Sequence, residues 1–248
     1  MTGSFLRHPA DLSTVREPTR IPVGCESLDT LLEGGIETGT VTLVYGPPGS
    51  GKTNVGLSAT VTTADRGERA LYIDTEGMSP ARLHQFVEGL SDPEHRGHTT
   101  ERISVRSAHD FDEQAAAVKD AASVADQLRL IVVDSLTGFY RLERTADERD
   151  GDALRAVTRQ VTHLLSLARK HDLAVLATNQ VFTDPEADRV RPLGGHTLGH
   201  WAGAVIRLDR FRGGNRRATL EKHRSLPAGG TAGFRISDTG LEPVDRLG

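Results

Sequence analysis

The sequence predicts an α/β fold in which helices cover both sides of a mostly parallel central sheet, with a C-terminal β-hairpin as an extension. Between residues 41 and 178, short apolar segments alternate with helix-like segments, as they do in chains that form parallel sheets. After residue 204 the pattern changes to two strand-like segments around Gly213-Gly214-Asn215, which is typical of a hairpin.

The composition indicates one intracellular domain. The chain has 248 residues and a formal net charge of −4, so bulk charge does not indicate a strongly basic nucleic-acid protein. Cys25 is the only cysteine, which favours the cytoplasm. We find no apolar run of membrane-spanning length, and residues 1–20 lack the apolar core of a signal peptide. We therefore expect a flexible extension over residues 1–20 and a single core domain over residues 21–248.

The elements are predicted from local patterns. Residues 41–45 and 130–134 are apolar runs typical of buried strands, whereas residues 52–64 lack proline and favour a helix. Further strands are expected over residues 69–74, 102–106, 173–178, 204–211, 217–223, 234–236 and 241–244. Further helices are expected over residues 24–35, 79–90, 110–126 and 152–170. Ser27 is the expected N-cap of the helix over residues 24–35, and Pro80 is the expected first residue of the helix over residues 79–90. Residues 92–101 should form a polar loop.

A glycine-rich loop follows the first buried strand and precedes the first long helix. It consists of Gly46, Pro47, Pro48, Gly49, Ser50, Gly51, Lys52 and Thr53, which fits the phosphate-binding pattern G-x-x-x-x-G-K-[ST]. In this pattern the backbone amides and the helix N-terminus hold phosphates. Lys52 would reach the β- and γ-phosphates, and Thr53 would offer its hydroxyl to Mg²⁺. The loop therefore predicts a P-loop NTPase.

Three other predicted strands end in polar residues, and ligands of open parallel sheets lie at this edge. Asp134 follows four apolar residues and is the expected carboxylate for Mg²⁺. Glu76 could accept a proton from the water that attacks the γ-phosphate. The amide of Gln180, after Asn179, could contact the γ-phosphate or that water. The chain lacks the N-K-x-D guanine motif, which disfavours a GTPase.

Together these segments resemble the RecA/RadA recombinase superfamily. The shared segments, in the family's order, are Gly24 to Gly35, the loop at 46–53, Asp74-Thr75-Glu76-Gly77, Val132-Val133-Asp134-Ser135 and Thr178-Asn179-Gln180-Val181. The match runs from about Ile21 to the end and is closest to a short archaeal paralogue of RadA. Segments 220–224 and 234–236 favour that branch. We also find no N-terminal helical DNA-binding domain and no F-x-x-A polymerisation motif, which favours the same branch.

The resemblance implies a RecA-like core that binds ATP and Mg²⁺, with weak or absent ATPase activity. It also implies binding to single-stranded or branched DNA without strand exchange, assistance to RadA, and contact with a Holliday-junction resolvase. In this family Glu76 corresponds to the catalytic glutamate and Gln180 to the nucleotide-sensing amide. We expect a monomer or small homo-oligomer, located in the cytoplasm with the nucleoid and not at a membrane.

The charge distribution modifies the expected DNA contacts. Residues 141–152 and 181–200, the loops that would face DNA, are both net acidic, and phosphate binding requires cations. Basic residues concentrate instead in the C-terminal hairpin. Arg212, Arg216 and Arg217 at its tip are candidate DNA contacts. Lys222 and Arg224 alternate along one strand and are candidates to reach ATP across a subunit boundary.

Two alternatives remain open at this point. One is a DNA-stimulated ATPase or recombinase proper, in which Glu76 is catalytic and DNA raises turnover. The other is a KaiC-like signalling ATPase that binds no nucleic acid. DNA-dependent turnover and DNA binding at low salt distinguish these alternatives from an accessory protein.

Overall fold

A computed structural model of the protein describes residues 19–139, 150–184 and 189–244. The predicted extension over residues 1–20 therefore lies almost wholly outside the described residues and stays a prediction, as does the single core domain. Most of the predicted loop 141–152 also lies outside them. Among the described helices, none has both the length and the apolar character needed to cross a membrane.

The chain alternates between strands and helices. The strands are β1 (Arg20–Ile21), β2 (Ile36–Glu37), β3 (Val41–Tyr45), β4 (Ala70–Asp74), β5 (Ile103–Ser107), β6 (Leu130–Asp134), β7 (Ala174–Asn179), β8 (Val181–Asp184), β9 (Arg189–Pro192), β10 (Ala204–Arg210), β11 (Asn215–His223), β12 (Thr231–Ile236) and β13 (Leu241–Val244). The helices are α1 (Glu26–Leu31), α2 (Lys52–Asp65), α3 (Pro80–Leu90), α4 (Arg96–Glu101), α5 (Phe111–Asp120), α6 (Asp150–His171) and α7 (Gly195–Trp201).

Nine of the described strands form one sheet, in the order β13-β12-β11-β10-β3-β7-β6-β4-β5. The six strands from β10 to β5 are parallel, and β11, β12 and β13 extend the sheet by antiparallel pairing. The expected parallel sheet with a C-terminal hairpin is therefore confirmed. Because β3, β7, β6 and β4 run in the same direction, the loops that follow them meet at one edge of the sheet.

Helices bury apolar side chains on both faces of this sheet. On one face Leu28 of α1, Leu57 of α2 and Phe86 of α3 belong to one buried cluster with strand residues. On the other face Leu164 of α6 and Leu198 of α7 belong to a second cluster. Strands buried on both faces carry continuous apolar runs, which is why residues 130–133 lack alternation.

Besides the expected loop over residues 181–200, in which β8, β9 and most of α7 form, three local predictions were wrong. Residues 92–101 are not wholly a loop, because α4 begins at Arg96. Thr99 of this helix is buried, and its own hydroxyl lies 3.3 Å from the Asp65 carboxylate of α2. The helix expected over 110–126 ends at Asp120 and continues as two short 3₁₀ turns. Ser27 does not cap α1, because its hydroxyl instead donates to the Gly233 carbonyl at 2.7 Å. Tertiary contacts override local preference in the first and third cases.

Candidate nucleotide-binding site

The loop between β3 and α2 requires glycine at two positions, one because of its backbone conformation and one because of close packing. Gly51 has φ +105°, a left-handed conformation that side-chain-bearing residues rarely adopt. A Cβ at Gly46 would lie 2.3 Å from the backbone oxygen of Leu208 on β10. The loop is therefore held tightly against the sheet, while Pro48 and Gly49 remain exposed at its outer turn.

Lys52 is the first residue of α2, and its side chain folds back over this loop. Its ammonium group donates to the carbonyl oxygens of Gly46 at 3.0 Å and Pro47 at 3.3 Å. Burial lowers the pKa of Lys52, and the carboxylates of Glu76 and Asp134 oppose that shift. The cation therefore lies between the glycine-rich loop and two acids from neighbouring strands.

The loop fits a bound phosphate group. Ser50 is fully buried, and its hydroxyl oxygen has no hydrogen-bond partner among the described residues. Such an unpaired buried group needs a partner, which a phosphate oxygen would supply. The N-terminus of the 14-residue helix α2 begins at this loop and favours negative charge.

Asp134 ends β6 and is almost fully buried, with 1% of its surface exposed. Tyr72 donates its hydroxyl to Asp134 Oδ2 at 2.7 Å, and Thr178 donates to Oδ1 at 2.5 Å. Burial raises the pKa of Asp134, whereas hydrogen bonds from Thr178, Thr53 and Tyr72 oppose the rise. Asp134 and Thr53 are thus adjacent, as the predicted Mg²⁺ site requires.

The hydroxyl and carboxylate oxygens of Thr53 and Asp134 are the kind of ligand that Mg²⁺ accepts. Within the described ranges, no group of three or more His, Cys, Asp or Glu side chains is arranged to hold a metal. Mg²⁺ in nucleotide sites is bound by one or two protein oxygens and completes its shell with water and phosphate. Thr53 and Asp134 would supply the protein oxygens.

Glu76 is placed by the turn that follows β4. The Asp74 carboxylate accepts hydrogen bonds from the backbone amides of Glu76 and Gly77 at 3.1 Å and of Met78 at 2.8 Å. The Oε1 atom of Glu76 then accepts from Ser135 Oγ at 2.8 Å. The turn therefore presents the Glu76 side chain toward the end of β6.

Gln180 reaches the same carboxylate from the end of β7, where its Nε2 donates to Glu76 Oε1 at 2.8 Å. Its backbone amide donates to Thr137 Oγ1 at 2.9 Å, and its carbonyl accepts from the amide of Leu193 at 2.9 Å. Asn179 adds a bond from its side-chain amide to the Leu193 carbonyl at 2.9 Å. Gln180 thus connects Glu76 to the segment that precedes α7.

The structure brings together most of the predicted site residues at one edge of the sheet. Three of their supporting residues were not predicted as functional: Ser135 and Tyr72, which hold the acids, and Asp74, which holds the turn. Ser135 and Asp74 lie within the segments that carry the family resemblance, so a signal for them was present. Tyr72 was recognised only as part of a strand.

The hairpin tip lies near the same loop. Arg216 Nη2 approaches the Gly49 carbonyl at 3.4 Å, and the Arg210 guanidinium lies beside Gly49. The Arg217 guanidinium stacks 4.6 Å from the centre of the Phe211 ring. The side chain of Arg212 lies outside the described part of the chain. DNA binding by Arg212, Arg216 and Arg217 stays a prediction, and the position of Arg216 also suits an anion at the loop.

Lys222 and Arg224 lie toward the opposite edge of the sheet. Lys222 pairs in register with Val205, near the start of β10, whereas the glycine-rich loop follows the end of β3. Lys222 Nζ donates to the carbonyls of Gly199 at 2.8 Å and His200 at 3.2 Å. The Arg224 guanidinium donates to the buried Glu37 carboxylate. Neither cation is near this chain's own loop, and action across a subunit boundary stays a prediction.

Fold and site together define a P-loop nucleotide-binding protein of the α/β class. A model of the Rad51 family matches residues 15–244, and the chain belongs to that family. It is similar to the DNA repair and recombination protein RadB of Halobacterium salinarum, with 61% identity over 91% of this chain and 96% of that protein. RadB of Archaeoglobus fulgidus is 39% identical over 90% of this chain and 98% of its own length.

The crystal structure of the RadB recombinase is also similar, with a TM-score of 0.76 and 36% identity over 91% of this chain and 100% of that one. The RecA-like core expected from the sequence is therefore confirmed. So is the resemblance to the short archaeal paralogue of RadA, since RadB is that paralogue.

Proposed function

We propose that this protein is an ATP-binding accessory protein of DNA repair and homologous recombination, whose nucleotide state controls its contacts with DNA and RadA. The observation that carries the proposal is the joint position of Lys52, Asp134, Glu76 and Gln180 at the end of the sheet. The names of its relatives, DNA repair and recombination protein RadB, support the biological setting.

Binding would use the loop from Gly46 to Thr53. Its backbone amides, the unpaired hydroxyl of Ser50 and the ammonium of Lys52 would hold the phosphates. Thr53 and Asp134 would hold Mg²⁺, which when bound neutralises charge on the phosphate oxygens. Lys52 would exchange its bonds to the Gly46 and Pro47 carbonyls for bonds to phosphate.

Glu76 is the proposed general base. Its Oε1 already accepts two hydrogen bonds, from Ser135 and Gln180, which leaves Oε2 to accept a proton from the attacking water. Ser135 holds this carboxylate even when Gln180 turns to the nucleotide, so Glu76 has limited freedom to follow the water. This restraint favours the slow hydrolysis of a switch rather than the fast turnover of a motor.

Gln180 is the proposed sensor. Bound nucleotide would draw its amide away from Glu76, and the backbone bonds of Gln180 and Asn179 to Leu193 would carry that change to residues 181–200. This segment is one of the two that are expected from the sequence to face DNA. The proposed partners are single-stranded or branched DNA, RadA and a Holliday-junction resolvase. The proposed working state is a monomer or small homo-oligomer.

The experiment that tests this function is ATP turnover with and without single-stranded DNA, at low and high salt, for the wild type and Glu76→Gln. Glu94→Gln, at an exposed carboxylate outside the site, is the matched control. We expect slow turnover that is indifferent to DNA, with ATP bound. Strong stimulation by DNA that Glu76→Gln abolishes would identify a recombinase or motor instead.

Two further measurements complete the test. DNA binding at low salt is expected, and its absence would identify a signalling ATPase without nucleic acid. Lys52→Ala should fail to assist RadA in strand-exchange assays, since the switch requires bound ATP. Normal assistance by that variant would refute the nucleotide switch.

A further inference from the structure

Trp201, the only tryptophan of the chain, lies at the end of α7 with 41% of its surface exposed. Leu198 and Ala202 of the same segment are buried in the core, at 0% and 3% exposure. Trp201 therefore projects from a helix whose other apolar residues are packed. Among the described residues it is the largest of three exposed large hydrophobic side chains, the others being Val105 and Val124.

A groove of about 430 Å³ lies beside the indole. We call it the Trp201 groove, and its lining residues are Thr162, Leu165, Ser166, Arg169, Lys170 and Trp201. Leu165 and the indole give it an apolar part, the two hydroxyl side chains can hydrogen-bond a peptide backbone, and Arg169 and Lys170 supply two positive charges. The groove thus combines an aromatic anchor with a basic rim.

The basic residues of this rim form no ion pair within the part of the chain that the structure describes. None of the ion pairs there includes Arg169 or Lys170. The nearby Asp172 is engaged elsewhere, because its carboxylate accepts from Thr38 at 2.7 Å and lies 3.4 Å from Arg129. The protein as a whole carries a formal charge of −4, so the groove has the opposite sign to the molecule.

The indole is held on a rigid support. Lys222 donates to the carbonyls of Gly199 and His200 at the end of α7, and the His200 ring meets the indole edge-on at 5.6 Å. Behind it, Gly203 lies so close to Thr40 that a Cβ there would be 2.0 Å from the threonine hydroxyl. The backbone that carries the indole is thereby held in place, so less entropy is lost when a partner binds.

We propose that the Trp201 groove docks an acidic segment of a partner protein through an apolar or aromatic side chain. Tryptophan and arginine are the residues most enriched at energetic centres of interfaces. Carboxylates of the segment would pair with Arg169 and Lys170, and its apolar side chain would cover the indole and Leu165. The groove lies at the sheet edge opposite the glycine-rich loop, so the partner and nucleotide can be bound together.

Two other occupants fit the groove less well. Single-stranded nucleic acid is bound by successive aromatic rings along a cationic groove, whereas this groove has one ring and two cations. A second copy related by two-fold symmetry would place Arg169 and Lys170 against their own counterparts, and like charges in contact oppose association.

The test is selection of a random peptide library displayed on phage against the full chain, with counter-selection on Trp201→Ala. We expect enriched peptides that combine Asp or Glu with an aromatic or large aliphatic residue. For a selected peptide carrying a fluorescent label, Trp201→Ala should weaken binding roughly 30-fold. The charge reversals Arg169→Glu and Lys170→Glu should also weaken it, while Trp201→Phe retains part of the affinity.

Val124→Ala, at an exposed apolar residue elsewhere, is the matched control and should leave binding unchanged. Thermal unfolding of each variant distinguishes a lost contact from a lost fold. The proposal is overturned if no peptide depends on Trp201 or if the enriched peptides lack acidic residues. It is also overturned if oligo(dT) quenches Trp201 fluorescence and displaces the peptide, or if sedimentation shows a dimer that Trp201→Ala dissociates.

Discussion

Gln180 and Glu76 are joined by a 2.8 Å hydrogen bond between Nε2 and Oε1, although 104 residues separate them in the sequence. They follow β7 and β4, which are not neighbours in the sheet, because β6 lies between them. Ser135, at the end of β6, donates to the same Glu76 oxygen. The proposed base and the proposed sensor therefore form one hydrogen-bonded unit, and substitutions in them should not act independently.

The first prediction concerns this unit. Glu76→Gln should lower single-turnover ATP hydrolysis about 100-fold or more, since it removes the proposed general base. ATP affinity should change little, because Lys52 and the loop amides remain. Gln180→Ala should lower hydrolysis less, and the double variant should be no slower than Glu76→Gln alone. Strictly additive losses would show that the two side chains work separately.

The second prediction concerns the loop. Mg²⁺ and ATP should raise the thermal unfolding temperature of the wild type, because a ligand of the folded state adds about 2.7 kcal/mol at a hundredfold excess over Kd. Lys52→Ala should abolish most of this shift. Lys119→Ala, at an exposed lysine of α5, should keep it. An equal shift in all three proteins would mean that nucleotide binds elsewhere.

The third prediction concerns His223, whose side chain is only 2% exposed beside Glu37. Burial lowers the pKa of His223, although the Glu37 carboxylate opposes this. The folded chain therefore binds fewer protons at His223 than the unfolded chain does. The neutral, buried His223 contributes its full share to the free energy of unfolding above the unfolded pKa near 6.5, and this share is lost as the pH falls through the lower folded pKa. One such group changes stability by at most about 1.4 kcal/mol per pH unit.

His223→Asn tests this pH dependence. His223 Nδ1 accepts from the amides of Ser225 and Leu226 at 3.1 Å, and an asparagine oxygen can replace that acceptor without titrating. Between about pH 7 and pH 5, the unfolding temperature of the variant should fall less steeply than that of the wild type. His109→Asn, at an exposed histidine, should follow the wild type. Identical slopes for His223→Asn and wild type would contradict the prediction.

The fourth prediction concerns Cys25, which is 2% exposed. Burial raises the pKa of its thiol, and a contact with Ser27 at 3.5 Å only partly opposes this. The reactive thiolate is therefore scarce and shielded at neutral pH. Ellman's reagent should modify the native protein far more slowly than the protein unfolded in guanidinium. Complete native labelling within mixing time would show that the site around α1 opens readily.

The sequence was sufficient for the parallel strands near the site and for the glycine-rich loop. The loop is local, so eight consecutive residues specify it, and the apolar run before Asp134 places that carboxylate at a strand end. The contacts that complete the site are not local. Ser135 meets Glu76 across 59 residues, and only the sheet order brings their turns together.

The sequence patterns also did not predict the shortest strands. The strands β1 and β2 each have two residues and exist because they pair with one another. The positions of Lys222 and Arg224 relative to the loop depend on the direction of β10 in the sheet, which local pattern does not specify. The expected hairpin makes β11 antiparallel to β10, but the parallel pairing of β10 with β3 decides that the hairpin tip lies near the phosphate-binding edge.

The last strands also touch the glycine-rich loop. A Cβ at Gly51 would lie 3.0 Å from Ile236, and Arg82 binds both Asn54 of α2 and the carbonyls of Ser237 and Asp238. The loop at residues 46–53 thus depends on residues near position 240. During synthesis the ribosome must translate past residue 238 before the loop acquires these contacts. A chain that stops before Ile236 should therefore lose part of the packing against Gly51 and so hold the loop less firmly.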